Sequence, residues 1–390
     1  AGDDVLIDFT EEQLAVRDTV RRFGETEIMP ARRRLEADRE LFAALSRRIA
    51  KLGLLEIVQF DEEGNDQRVP GSYVTLGVAC EELGRYDTSL AQVVSGAGSR
   101  ASRLAKLADR DLGRELRARF TAGQLTMAAG FSEAEAGSDI QGTRTTARRV
   151  PGGVRVTGEK NSVTGMPAAD WVAILARETD ADGGSLGFSQ FLIPVGAPGL
   201  SRAELDDMGW RVRGRSILTL DDVFVPDGQR VGEPGMGLKM MLGGFNYLRA
   251  SQALICVGAA DATLRETVAH TSSRTAFGKP LGANQAVSFA LAEAATKLDA
   301  ARWMCYRVLE MRERGLDHAT EAAMAKWWVP EVCIDVLRDC LRFNGHAGYS
   351  SELPIEQRLR DVIGFELADG ASEIMKLIIA RRMFGRAVAG

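Results

Sequence analysis

The chain has 390 residues, 45% of them hydrophobic and 26% charged, which excludes a disordered chain and supplies material for a large core. Lys and Arg number 49 against 54 Asp and Glu, a net charge of −5, so there is no basic footprint for nucleic acid. No apolar run nears the ~18 residues needed to cross a bilayer, and Ala1–Phe9 lacks the basic start of a secretory leader.

In chain order, Thr10 is a good N-cap for an amphipathic helix whose apolar positions are Leu14, Val16, Val20 and Phe23. A second helix is predicted over 42–55, a third over 74–84, and one or two more over 89–120, with a polar loop at 64–71. Near Leu125 the texture changes. Short β-rich runs at 154–157, 171–176, 188–195 and 217–225 are separated by Gly, Asp and Pro clusters, a spacing that suggests an antiparallel barrel or sandwich. Helical texture returns near Gly235. Val287, Leu291, Ala294, Leu298, Ala301, Cys305 and Val308 form one continuous stripe in a helix within 282–314. Further helices are predicted over 321–343, where Pro330 kinks the helix or opens a new segment, and over 372–388. The organisation is therefore α+β, mostly α, in three domains: helical 1–124, β 125–234 and helical 235–390. Cys80, Cys256, Cys305, Cys333 and Cys340 read as reduced, buried thiols of a cytoplasmic protein. His270, His318 and His346 have no Cys partners at ligand spacing, so no metal is expected.

Four segments are candidates for chemistry, and each also has a plain structural explanation. Phe131–Asp139 is a small-residue turn in which Ser132, Gly137 and Ser138 suit a cofactor edge, or it is a surface turn capped by Asp139. Arg274 to Leu281, with Gln285, opens the long helix with basic residues, an anion site or a solvated loop. Asn344–Tyr349 is a Gly-punctuated link between helices, with His346 as a loop histidine. Asp369 precedes the last helix, where Asp commonly serves as an N-cap.

Together, in this order and around this helix–β–helix layout, the four segments resemble the acyl-CoA dehydrogenase family of flavoproteins over nearly the whole chain. Phe9-Thr10-Glu11-Glu12-Gln13 and Glu81-Glu82-Leu83-Gly84-Arg85 are similar to two further signatures of that family. The resemblance implies a C-terminal four-helix bundle, FAD as cofactor and a homotetramer built as a dimer of dimers. It assigns flavin contacts to Phe131, Ser132, Gly137, Ser138, Ser162, Thr164, Arg342, Gly345 and Ala371. Arg274, Phe277 and Gln285 match the stretch that holds the FAD of a neighbouring subunit. Leu248, Arg249, Ala368 and Gly370 fall on the substrate side, and Asp369 sits where the family carries its catalytic Glu.

Several positions depart from the family pattern. Asp369 is one methylene shorter than Glu, and Ala368 and Ala371 replace a Tyr and a Thr. Ser162 replaces an aromatic near the flavin, while Thr164 keeps its place. His346 replaces a Gly, Arg342 a Gln, and Arg213, Gly214 and Arg215 replace Ser/Thr positions. The alternative base position on an earlier helix reads Leu248-Arg249, which offers no carboxylate. The implied reaction is α,β-dehydrogenation of an acyl thioester, from CoA or an acyl carrier protein, with an electron-transfer flavoprotein as a possible acceptor. The space left by Ala368, Ala371 and Ser162 suits a branched, cyclic or polyfunctional acyl group. Arg211, Arg213 and Arg215 either face the carrier arm or form a solvated basic hairpin. Two other readings keep the fold: an oxygen-using flavoenzyme, with which an Asp in the base slot is compatible, and a flavin-binding or assembly protein without catalysis.

Overall fold

The computed structural model describes residues 8–385, so most of the Ala1–Phe9 segment lies outside the described residues. The chain begins with α1 (Glu11–Phe23), α2 (Arg32–Leu35), α3 (Arg39–Lys51), α4 (Ser72–Gly84), α5 (Thr88–Ser95), α6 (Ala97–Ala105) and α7 (Arg110–Thr121). Thr10 caps α1 as its sequence predicts. Its hydroxyl accepts from the Gln13 N–H at 3.2 Å, and the Gln13 side chain accepts from the Thr10 N–H at 3.0 Å. The helix α3 starts three residues before the predicted 42–55 segment because Asp38 caps it, accepting from the Leu41 N–H. The 89–120 run divides into three helices, with the caps Asp87 and Asp109 setting the first and last starts.

The strands are β1 (Met127–Gly130), β2 (Thr146–Val150), β3 (Gly153–Thr164), β4 (Trp171–Thr179), β5 (Ser185–Pro194), β6 (Leu200–Leu205), β7 (Arg215–Pro226) and β8 (Arg230–Val231). Their order is β6-β7-β3-β2-β4-β5-β8, with β1 beside β4. Of the expected antiparallel barrel or sandwich, this corrects the closed barrel and the wholly antiparallel pairing. Both β1 and β2 run parallel to β4, and the described strands do not close into a ring. The cause lies in the 131–145 turn. The chain leaves the sheet after Gly130 and re-enters in the same direction, so two short strands share one edge of β4.

The chain continues through α8 (Gly237–Ser273), a hairpin of β9 (Thr275–Ala276) and β10 (Lys279–Pro280), then α9 (Gln285–Glu313), α10 (Ala319–Phe343), α11 (His346–Tyr349), α12 (Ile355–Leu367) and α13 (Ser372–Phe384). Every residue of the predicted 287–308 stripe is buried. Pro330 lies inside the continuous α10, and the end of the predicted 372–388 helix lies outside the described residues. The N- and C-terminal helices share one hydrophobic core, and the sheet has its own, built on Val154, Val156, Val172, Ile174, Leu218 and Val223. All five cysteines are free and buried, and burial pushes their thiol pKa values up. No described helix is long and apolar enough to cross a membrane.

Candidate active site

A cavity of about 570 Å³ opens between the sheet, α5, α6, α8 and the α12–α13 elbow. It gathers Phe131, Ser132, Gly137, Ser138, Ser162, Thr164, Leu248, Arg249, Ala368, Asp369, Gly370 and Ala371 in its walls. These residues come from four separate stretches of sequence, so the fold unites most of the predicted positions.

The 131–139 turn is held from beneath by Glu133. Its carboxylate accepts from the Thr145 N–H at 3.0 Å, the Thr145 hydroxyl at 2.6 Å, the Arg144 N–H at 2.6 Å and Lys160 Nζ at 2.7 Å. Burial would push its pKa up, but these donors more than offset that and hold it below the usual carboxylate range. Lys160 is fully buried and also donates to the Phe131 carbonyl at 3.0 Å, which fixes the first residue of the turn. The N–H of Asn161 ties the Ser132 carbonyl to β3 at 2.9 Å. Gly137 stands at the open side, where a Cβ would meet no atom within 4 Å.

A register shift between Lys160 and Val163 interrupts the β3–β7 ladder. Bulges bend a strand and re-aim its side chains. Here the shift places Ser162 at φ +60° on the cavity wall, with its hydroxyl accepting from Arg215 Nη1 at 2.8 Å.

Asp369 occupies the elbow between α12 and α13 in left-handed conformation, φ +55°. Its Oδ2 accepts from Gln252 Nε2 at 2.7 Å. The N-cap of α13 is Ala371, and no side chain bonds the helix start. The capping explanation therefore fails for Asp369, whose carboxylate is held by α8 instead. Two buried cations anchor the elbow backbone. Arg249 Nε donates to the Asp369 carbonyl at 3.2 Å, and Lys326 Nζ donates to the carbonyls of Phe365 at 2.6 Å and Gly370 at 3.2 Å. Burial lowers the Lys326 pKa to about 8, against a raising influence from Asp369.

The far wall rests on Trp210. Its backbone N–H donates to Asp361 Oδ1 at 2.7 Å, and its ring meets Phe365 edge-on with centroids 4.9 Å apart. Gly364 permits this approach, since a Cβ there would lie 2.7 Å from the indole. Burial pushes the pKa of Asp361 up to about 7 and that of Asp87 nearby to about 6.

The 211–215 segment is not a uniformly solvated basic hairpin, nor does it present three arginines outward. Only Arg211 is exposed. Arg215 pairs with Asp207, and Arg213 is 8% exposed and lines the cavity. The backbone turns at Trp210 (φ +52°) and Gly214 (φ +61°), which carries Arg213 inward. Arg274, Phe277, Gln285, Arg342 and Gly345 do not reach this cavity. Phe277 is 99% exposed at the tip of the β9–β10 hairpin, and Arg342 reaches Asp339 on its own helix.

Three segments match the acyl-CoA dehydrogenase family: its N-terminal domain by residues 10–123, its middle domain by 128–223 and its C-terminal domain by 235–384. The chain is 33% identical to benzylmalonyl-CoA dehydrogenase of Aromatoleum aromaticum, covering 96% of this chain and 99% of that protein. The chain belongs to the acyl-CoA dehydrogenase family. It is likewise 30% identical to cyclohexane-1-carbonyl-CoA dehydrogenase of Geobacter metallireducens over 98% of this chain and all of that one. The structure of glutaryl-coenzyme A dehydrogenase with glutaryl-CoA superposes with a TM-score of 0.90 at 25% identity, covering 99% and 98% of the two chains. As an acyl-CoA dehydrogenase family member the chain is a flavin-dependent oxidoreductase with FAD as cofactor. Sequence reasoning about this family member missed Gln252, Lys326, Arg100 and Arg103. A signal existed for the first: Gln252 follows Arg249 by three residues and so shares its face of α8.

Proposed function

We propose that the chain dehydrogenates an acyl thioester between Cα and Cβ, with Asp369 taking the α-proton. One observation carries the reading: the Asp369 carboxylate lines the cavity on a bond from Gln252 and leaves the start of α13 uncapped. A Cα–H beside a thioester is a weak acid. It needs a carboxylate within about 3 Å and hydrogen-bond donors where negative charge builds. Gln252 fixes one Asp369 oxygen and leaves the other for the proton. The Asp369 backbone N–H meets the thioester oxygen. Arg249 and Lys326 hold the elbow so that both groups keep their aim.

The residues present fit FAD. Gly137 leaves open space at the wall, Ser132 and Ser138 bring hydroxyls, and buried Trp210 Nε1 lacks a partner. Phe131, Ser132, Gly137, Ser138, Ser162, Thr164 and Ala371 would hold it. Bound FAD supplies the hydride acceptor. Arg274, Phe277, Gln285, Arg342 and Gly345 serve the FAD of a neighbouring subunit in a homotetramer. The exposed Phe277 ring, which water disfavours, supports that placement. Leu248, Ala368 and Gly370 border the acyl group, and the small side chains of Ala368, Ala371 and Ser162 leave room for a branched, cyclic or polyfunctional one. The carrier is CoA and the electron acceptor an electron-transfer flavoprotein.

Anaerobic mixing of the FAD-loaded protein with straight, branched and cyclic acyl-CoA thioesters tests the proposal. At least one thioester bleaches the flavin, and Asp369→Asn slows that bleaching by roughly 10²–10⁴-fold. An undiminished rate in the variant would give the proton to another group. No bleaching by any thioester removes the activity. Rapid peroxide or hydroxylated product in air, without an accepting partner, assigns an oxygen-using reaction instead.

A further inference from the structure

The cavity carries more positive charge than the reaction above uses. Arg100 and Arg103 enter it from α6 and Arg213 from the segment before β7. Among the described residues none of the three has a carboxylate within salt-bridge distance. Arg100 Nε donates to the Met127 carbonyl at 3.0 Å. Arg103 donates to Gln190 at 3.2 Å and to Ser99, and lies over the Phe131 ring. Arg213 reaches only the Ser89 carbonyl, at 3.5 Å, and its buried Nε has no partner. The two carboxylates of the cavity wall are already engaged, Asp207 by Arg215 and Asp369 by Gln252.

Three enclosed arginines elsewhere in the chain are matched with acids. Arg358 pairs with Glu266, Arg230 with Glu178, and Arg302 with Glu81 and Asp261. A buried guanidinium without a counter-ion is costly, and neighbouring ones repel. Burial and Arg100 lower the Arg213 pKa to about 9, which leaves it cationic at neutral pH. The site therefore favours an incoming anion. Arg213 is more than nine-tenths buried, so that anion must be small and must enter the cavity interior. A planar carboxylate meets a guanidinium with two parallel hydrogen bonds.

We propose that the acyl group carries a second, free carboxylate, which Arg213 and Arg100 bind: the substrate class is a dicarboxylic acyl thioester. The inference rests on the thioester dehydrogenase reading. The carboxylate sets specificity and position, and the proton and hydride leave Cα and Cβ as before.

The FAD-loaded protein is compared with an acyl-CoA ending in a carboxylate and with the methyl ester of the same thioester, by anaerobic flavin bleaching. The acid is preferred about 100-fold in kcat/KM. Arg213→Gln brings the two together, and Arg213→Lys restores part of the difference. Calorimetry with CoA alone identifies the source of the anion: Arg213→Gln leaves that affinity unchanged. Equal use of acid and ester by the wild type overturns the proposal and leaves the dehydrogenase reading standing. So does a preference that survives Arg213→Gln. An equal loss of CoA affinity in that variant means that the arginines meet CoA phosphate, and the proposal falls. Should Arg213→Gln fail to fold, the wild-type comparison decides alone. No bleaching by any thioester removes both readings.

Discussion

The flavin-side turn depends on one buried ion pair, and replacing Lys160 with Met probes it. Met keeps most of the side-chain volume and deletes the ammonium that bonds Glu133 at 2.7 Å and the Phe131 carbonyl at 3.0 Å. Glu133 then remains 9% exposed with a charge and no cation. Breaking a buried pair costs about 3–5 kcal/mol, and the lower figure applies because Thr145 and the Arg144 N–H still donate to the carboxylate. For 390 residues the unfolding entropy near the midpoint is roughly 0.8 kcal/mol per kelvin, so Lys160→Met lowers Tm by about 4 °C. The freed Phe131 carbonyl loosens the turn, and the variant loses flavin on gel filtration. Adding Glu133→Gln removes the stranded charge, so the double variant melts above the single one. Scanning calorimetry and flavin absorbance provide the readouts. A Lys160→Met protein that melts within a degree of wild type and keeps its flavin would refute the reasoning.

Three further outcomes follow from the same geometry. Gln252→Leu strips Asp369 of its 2.7 Å donor, a bond to a charged group contributing about 1.5–3 kcal/mol, so single-turnover flavin reduction slows roughly 10–100-fold; an unchanged rate excludes a positioning role for Gln252. Asp361 has its pKa raised from 3.8 to about 7 by burial, so the stability it contributes is full below pH 4 and drains away as pH rises to 7. The neutral Asp361→Asn has no such loss and gains in Tm relative to wild type between pH 5 and 8, whereas parallel melting curves across that range contradict the linkage. Phe277→Ser exposes a polar tip where an apolar ring stood 99% open, and is expected to weaken flavin retention and subunit association; unchanged sedimentation and flavin content would separate the hairpin from both.

Local rules made much of this fold readable. The α1 capping box needs only Thr10 and Gln13 three residues apart, and the α9 stripe only a helical repeat. The length of α8 was hidden because residues 247–264 are buried on every side, which erases the periodicity by which helices are read. The short strand Met127–Gly130 holds two alanines and a glycine, with no β-branched residue to mark it. At the site, Ser132, Ser162 and Asp369 could be picked out from sequence, but their supports could not. Glu133 finds Lys160 across 27 residues and Asp369 finds Gln252 across 117, separations at which only the folded chain decides partners. Arg213 shows the same limit: a run of alternating arginines reads equally as facing a carrier arm or as solvated, and only the two turns at positive φ show the middle one swung inward.

The left-handed elbow at Asp369 also constrains what this position can become. That backbone basin is tolerated by Asp and Asn far better than by most other residues with a Cβ, because their short polar side chains satisfy themselves locally. Exchanging the acid for its longer homologue therefore changes reach and torsion together. A lineage or an engineer moving toward glutamate shifts the position of the carboxylate and the torsional preference of the hinge in the same step, so the short acid and the bend that carries it act as one unit.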